Sequence, residues 1–225
     1  KILIRNDYAP GVNLTIDTEN GGDPATDLLV SGVIAQADNS GNFPGLVKSG
    51  DGTLELTNIS SFTGGTTVNG GNLLLNLTTS AISAIRGTVT VNSGATLTVS
   101  GAAFGGFGTD PGTRIETLNV AGGSVLVVDQ KMTSGSTFNL TGGSISGGTI
   151  HWRDTAIHSL ASATTSTISS ELLIRPDYGT PTLSIDVANG AAPTDLLVSG
   201  LIKESSPSGN LFKSGAGNLE LTASN

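Results

Sequence analysis

The residue types best suited to chemistry gather in the run His151-Trp152-Arg153-Asp154, which holds the only tryptophan and one of the two histidines. An indole face can stack on a sugar ring, and a neighbouring imidazole or carboxylate can move protons. Trp152 and His151 are therefore the candidate ligand patch, with surface glycans as the ligand class. The competing role is packing, with Trp152 covering the side or end of the fold, and packing is the expectation taken forward. His158 lies seven residues on, without a spacing that would join it to a second metal ligand. Arg5, Asp7 and Tyr8 return as Arg175, Asp177 and Tyr178, and Asp17 and Asp27 return as Asp186 and Asp195. Such recurrence shows duplication, not chemistry, and the expected role is an Arg–Asp pair bracing a corner. Gly105 to Asp110 opens like a calcium-binding glycine–aspartate nonapeptide, but Gly112 stands where an apolar residue belongs and there is one copy only.

Enzymes that cut acidic polysaccharides need clustered carboxylates. Here 18 Asp and Glu and 10 Lys and Arg are spread along 225 residues without such a cluster. Gly-x-Ser-x-Gly is absent, as is a glycine-rich loop ending in Gly-Lys-Ser/Thr. The expectation is a protein without catalysis, metal or cofactor. A net charge of −8 argues against a nucleic-acid partner, which would need a basic stripe. With no cysteine there is no disulfide framework, and no apolar run is long enough to span a membrane as a helix.

The elements that would position these residues follow from the repeats. Leu3-Ile4-Arg5 returns at Leu173-Ile174-Arg175, offset 170; Asp27 to Gly32 returns unchanged at Asp195 to Gly200, offset 168; Leu46 to Thr57 returns at Leu211 to Thr222, offset 165. The falling offset places length changes between the repeated blocks, in turn-like segments. Residues 1–170 thus read as one long unit and residues 171–225 as the start of a second, continuous with the first. Within the unit a shorter pattern recurs: Val68-Asn69-Gly70-Gly71, Val91-Asn92-Ser93-Gly94, Val120-Ala121-Gly122-Gly123 and Leu140-Thr141-Gly142-Gly143. Each corner lies between two short strands that alternate apolar and polar residues. Glycine, 32 residues in all, supplies the turning points.

Strand, glycine corner, strand, at about 20–29 residues per cycle, predicts an all-β parallel β-helix of roughly ten coils. The alternative is a β-sandwich or meander, because Asn69-Gly70 would also make a two-residue hairpin. Two stretches, Thr79 to Arg86 and Asp154 to Ser162, carry a weak helical signal, each enough for a turn or two outside the solenoid. Asn69 and Asn92 hold equal positions before glycine and are expected to form an asparagine ladder.

The stretch Leu46 to Leu75 resembles the passenger-associated β-strand repeat of autotransporter proteins. The resemblance rests on Lys48, Gly50, Gly52, Leu54 and Leu56, then Phe62, Thr63, Gly64, Gly65 and Thr66, then Val68, Gly70, Gly71 and Leu73. A truncated second copy begins at Leu211 and keeps Lys213, Gly215 and Gly217. The resemblance implies a right-handed parallel β-helix exported to the bacterial surface or medium. It implies a stalk or adhesin-type segment whose partners are neighbouring repeat units and, through its exposed faces, glycans or other cells.

Overall fold

The fold is described from a computed structural model, over residues 1–5, 12–22, 26–37, 43–78, 82–102, 106–153, 155–175, 182–205 and 209–224. Asp7, Tyr8, Asp177 and Tyr178 fall outside this set, so the expected Arg–Asp braces do too. All the named elements are strands, and every pairing between them is parallel. The chain is a parallel β-helix.

One sheet stacks nine strands, from Leu14–Asp17 through Thr66–Val68 and Thr137–Thr141 to Asn210–Ser214. The second has a main path of nine strands, from Leu28–Val30 through Asn72–Leu77 and Ser144–Trp152 to Leu219–Leu221. Nine rungs thus stand in the described residues, where roughly ten coils were expected. A third set of strands joins Ile2–Ile4 to Ile34–Gln36, and later joins Thr149–Trp152 to Glu171–Ile174 and on to Ile202–Glu204.

The alternation in sequence becomes columns in space. Val68, Val91, Val120 and Leu140 are in register and fully buried. Leu54, Leu73, Leu97, Val125, Ile145, Ile168 and Val198 form the facing column of the second sheet. Each such side chain contributes about 1.5–3 kcal/mol of burial. Parallel strands cannot be joined by a two-residue turn, so the Asn69-Gly70 hairpin does not form. Thr66–Val68 pairs instead with Leu46–Ser49 below and Gly87–Asn92 above. The asparagine ladder is present: Asn92 Nδ2 donates to Asn69 Oδ1 at 2.7 Å, and Asn139 Nδ2 to Asn119 Oδ1 at 2.8 Å.

Among the described residues neither weak helical signal gives a helix. Residues 156–159 form the strand Ala156–Ser159 with Ile157 buried, and Ala84 and Ile85 are buried in irregular chain. Short apolar-polar runs take the strand state because the neighbouring rungs offer unpaired backbone groups.

The two copies meet without a break. Ala156–Ser159 carries Thr182–Val187, and Ser166–Ile168 carries Leu196–Val198. The stack nonetheless slips by two residues over one unit. The column that starts at Leu14 passes through Leu46, Thr66, Val89, Leu118, Phe138 and Ile157 and arrives at Ile185, the counterpart of Ile16. In the second sheet the column from Leu28 arrives at Val198, the counterpart of Val30. A slip of two preserves which side chains face inward.

Candidate functional site: a lysine-capped corner

Lys48 belongs to Leu46–Ser49, where Leu46 and Lys48 point inward and Val47 and Ser49 outward. Its side chain is fully buried. The ammonium donates to Ser49 O at 2.8 Å, Gly50 O at 2.9 Å and Gly70 O at 3.0 Å. Two of these carbonyls belong to its own corner and the third to the corner one coil above. Three donors on one ammonium match three acceptors. Burial pushes the Lys48 pKa down, and the carboxylates of Asp17, Asp51 and Asp27 pull it back up.

The glycines around Lys48 interlock. Gly50 (φ 75°) and Gly71 (φ 58°) turn the chain in the left-handed region that glycine enters freely. The two corners also lie backbone on backbone. A Cβ on Gly70 would stand 3.2 Å from Gly50 O, and one on Gly71 would stand 2.3 Å from Gly52 O. A Cβ on Gly52 would meet Glu19 O of the coil below at 2.5 Å. Gly64 and Gly65 face the same limit, with Phe43 O at 2.0 Å and Thr88 O at 2.6 Å from the added atom. Leu54 and Leu56 then lead into the second sheet, buried under Leu73 and Leu75. The spacing Lys-x-Gly-x-Gly-x-Leu-x-Leu with its later Gly-Gly is thus a two-coil building block. Its glycines allow close stacking and its lysine ties the two corners together.

The second copy reproduces the block as far as it extends. Lys213 Nζ donates to Gly215 O at 2.7 Å, Gly215 turns at φ 77°, and a Cβ on Gly217 would meet Ala188 O at 2.4 Å. Lys213 is exposed where Lys48 is buried. Carboxylate braces repeat as well. Asp27 accepts from the N–H groups of Gly21 and Thr53, each at 2.7 Å, and Asp195 accepts from those of Gly190 at 2.7 Å and Asn218 at 2.8 Å. The two backbone donors hold the Asp27 carboxyl below its ordinary value of 3.8. Thr26 donates to Glu55 as Thr194 does to Glu220. Carboxylates on backbone N–H groups thus brace the corners at Asp27 and Asp195.

The candidate ligand patch is not at the surface. Trp152 is fully buried, its Nε1–H donates to Thr155 O at 3.0 Å, and it meets Phe138 edge-on at 5.2 Å. Phe107 continues the aromatic cluster, 5.2 Å from Phe138. His151 is 6% exposed; its Nδ1 lies 3.4 Å from Arg175 and its Nε2 3.2 Å from Gln130 Oε1. Arginine can only donate, so these contacts fit a neutral imidazole protonated on Nε2. Neither ring offers a face to a sugar. For Trp152 the reason is parity, since Ile150 and Trp152 both point inward in Ser144–Trp152, a strand rather than the expected loop, while His151 is covered by its contacts with Gln130 and Arg175. His158 pairs loosely with Asp186 at 3.7 Å, its neighbour in the register. Among the described residues no three His, Asp or Glu side chains converge as metal ligands.

Sequence reasoning missed a second buried lysine. Lys131 is fully buried, yet its ammonium reaches only Gly101 O and Gln130 O, both at 3.4 Å. Burial lowers its pKa, opposed by Asp129. A register shift between Val127 and Gln130 precedes it. Lys131 keeps the inward parity of Val125 and Val127, but exposed Asp129, at φ 58°, interrupts the series between them.

Fold and corner together define a β-solenoid stabilised by a repeated lysine-and-glycine block. Residues 46–75, the span of that block, match the model of the passenger-associated-transport-repeat family. No curated protein and no solved structure matches the chain.

Proposed function

We propose that this chain is a non-catalytic structural segment of an exported bacterial passenger protein, a stalk or adhesin-type rod at the cell surface or in the medium. The observation that carries the reading is the match of residues 46–75 to the passenger-associated-transport-repeat. The geometry gives that match a physical role, since the matched residues build the coil-to-coil joint. One unit advances the stack by seven rungs, from Leu14–Asp17 to Thr182–Val187. At the spacing of neighbouring strands this is about 34 Å of rod per unit. Repetition of the unit would set the reach of whatever the rod carries. Its partners are neighbouring units of the same chain, with surface glycans or other cells met by the outward faces. Nucleic acid and membrane insertion have no part in it.

The test is accessibility on the producing cell. Antibody raised to residues 1–225 should label intact cells, and an external protease should release peptides of this segment without lysis. Labelling only after lysis would overturn the proposal. Incubation of the purified protein with neutral and acidic glycans should release no cleavage products, and sustained turnover would overturn the non-catalytic part.

A further inference from the structure

The aspartate braces sit against a labile dipeptide. Asparagine followed by glycine is open to succinimide formation, because no Cβ shields the path from the glycine nitrogen to the asparagine carboxamide. The sequence holds three such pairs, Asn20-Gly21, Asn69-Gly70 and Asn189-Gly190. Asn69 is engaged in the asparagine ladder. Asn20 and Asn189 are exposed and hold equivalent positions in the two copies. In both, the nitrogen that would react is held by a carboxylate. Gly21 N–H donates to Asp27 Oδ1 and Gly190 N–H to Asp195 Oδ1, each at 2.7 Å. The second oxygen of each carboxylate accepts from Thr53 N–H or Asn218 N–H, which fixes its place. Asp195 is 4% exposed, so water screens its charge little. Packing also demands the glycine: a Cβ on Gly190 would stand 2.3 Å from Ser162 O. The corner thus imposes the glycine after Asn189 and lays a carboxylate on that glycine's nitrogen.

We propose that Asn189-Gly190 and Asn20-Gly21 are latent deamidation sites, and that the Asp195 and Asp27 carboxylates keep them closed by holding the proton on the glycine nitrogen. The inference concerns the chemistry of the corner and holds whether or not the segment is exported.

Deamidation at such a pair is a ring closure. The glycine N–H first gives its proton to hydroxide, and the nitrogen then attacks Cγ of the asparagine. The N–Cγ bond forms and the Cγ–Nδ2 bond breaks. Nδ2 leaves as ammonia, taking a proton from water and restoring the hydroxide. A second water opens the succinimide to aspartate or isoaspartate. The carboxylate opposes the first step. Loss of the proton would set an amidate against a carboxylate, two negative charges in contact, and would forfeit a charge-assisted hydrogen bond. An aspartate is too weak a base to take an amide proton itself. The attraction is mutual, since the N–H groups of Gly21 and Thr53 hold the Asp27 carboxyl below its ordinary value. A hydrogen bond of this strength slows ring closure by about tenfold to a hundredfold. Isoaspartate at position 189 would insert a backbone methylene just after Thr182–Val187, in the corner that leads to Leu196–Val198.

The experiment stores the full chain in mildly alkaline buffer. It reads deamidation at Asn189 and Asn20 by peptide mapping with isoaspartate detection, beside amide exchange. In the wild type both asparagines should deamidate about tenfold or more slowly than in the same chain unfolded in urea. Asp195→Ala should speed deamidation of Asn189 alone by about tenfold or more, with the amides of Leu196–Val198 still protected. Asp27→Ala should do the same at Asn20 alone, with the amides of Leu28–Val30 still protected, and it stands as the second test where one variant folds poorly. Wild-type rates equal to those of the unfolded chain would overturn the proposal. So would variants that deamidate no faster than the wild type. Acceleration that comes only with lost strand protection, or that Asn20 and Asn189 share in a single variant, would assign the slowing to general rigidity and overturn the role of the carboxylates.

Discussion

Replacing Lys48 by Met tests the corner most sharply, because it removes the ammonium and keeps the stem. Three carbonyls lose a donor: Ser49 O, Gly50 O and Gly70 O. Ser49 O still receives the Thr18 N–H at 3.0 Å, so the damage falls mainly on the other two. Each desolvated carbonyl left unpaired costs about 1–3 kcal/mol. Against this, the variant no longer buries a charge, and burial already pushes the Lys48 pKa down. The balance is a net loss of about 2–4 kcal/mol. Lys131 supplies the control. Its two contacts are both 3.4 Å, so Lys131→Met gives up little hydrogen bonding and relieves a similar burial. That change should be neutral or stabilising by about 1 kcal/mol or more. Because a solenoid couples mainly nearest neighbours, urea unfolding should be joined to amide exchange of the coils that carry Leu46–Ser49 and Thr66–Val68. The reasoning fails if Lys48→Met equals or exceeds the wild type in stability, or if Lys131→Met is the more damaging of the two.

Other outcomes follow from the same structure. Gly71→Ala would place a Cβ 2.3 Å from Gly52 O at a positive φ and should cost about 3–5 kcal/mol, measured by thermal melting. Gly94→Ala has the same backbone sign but open space around it, and should cost only about 1–2 kcal/mol. Thr66 is 3% exposed and its hydroxyl has no hydrogen-bond partner, so Thr66→Val should stabilise by about 1 kcal/mol in urea titrations. The Asp27 carboxyl is held below 3.8, so it favours folding above that pH and loses this contribution as pH falls through its lowered folded value. Melting curves of wild type and Asp27→Asn should therefore differ at neutral pH and converge in strong acid. Lys48 behaves in the opposite range: its folded pKa lies below 10.5, so the unfolded chain binds the extra proton in between and stability should rise with pH there.

Much of the architecture was legible because two local rules repeat. Alternation marks the inward side of each strand, and glycine marks each corner. That was enough to locate the strand pairs flanking the corners at Gly70, Gly94, Gly122 and Gly142. The ladder of Asn69 and Asn92 followed from equal position alone. The third set of strands was not legible, because Ile2–Ile4 and Ile34–Gln36 are three residues long and carry no corner signal of their own. The run at Trp152 reads two ways from sequence, as exposed chemistry or as packing, and packing is the expectation; the strand that contains it turns the indole inward. Lys48 was legible as a motif position but not as a capped ammonium, since its third acceptor lies 22 residues away on the next coil. The two-residue slip between copies is invisible to repeat alignment, which compares equivalent residues and not stacked ones.

Parallel stacking of successive coils is the claim on which everything else rests, and the absence of native cysteine makes it directly testable. Thr67 and Thr90 lie opposite each other on neighbouring rungs, whereas a hairpin at Asn69-Gly70 would set Thr67 opposite Asn72. Neighbouring strands bring paired Cα atoms within the range a disulfide spans. The account predicts that a Thr67→Cys, Thr90→Cys protein forms an internal disulfide under mild oxidation and that a Thr67→Cys, Asn72→Cys protein does not. Cross-linking of the second pair, with none in the first, would contradict the solenoid.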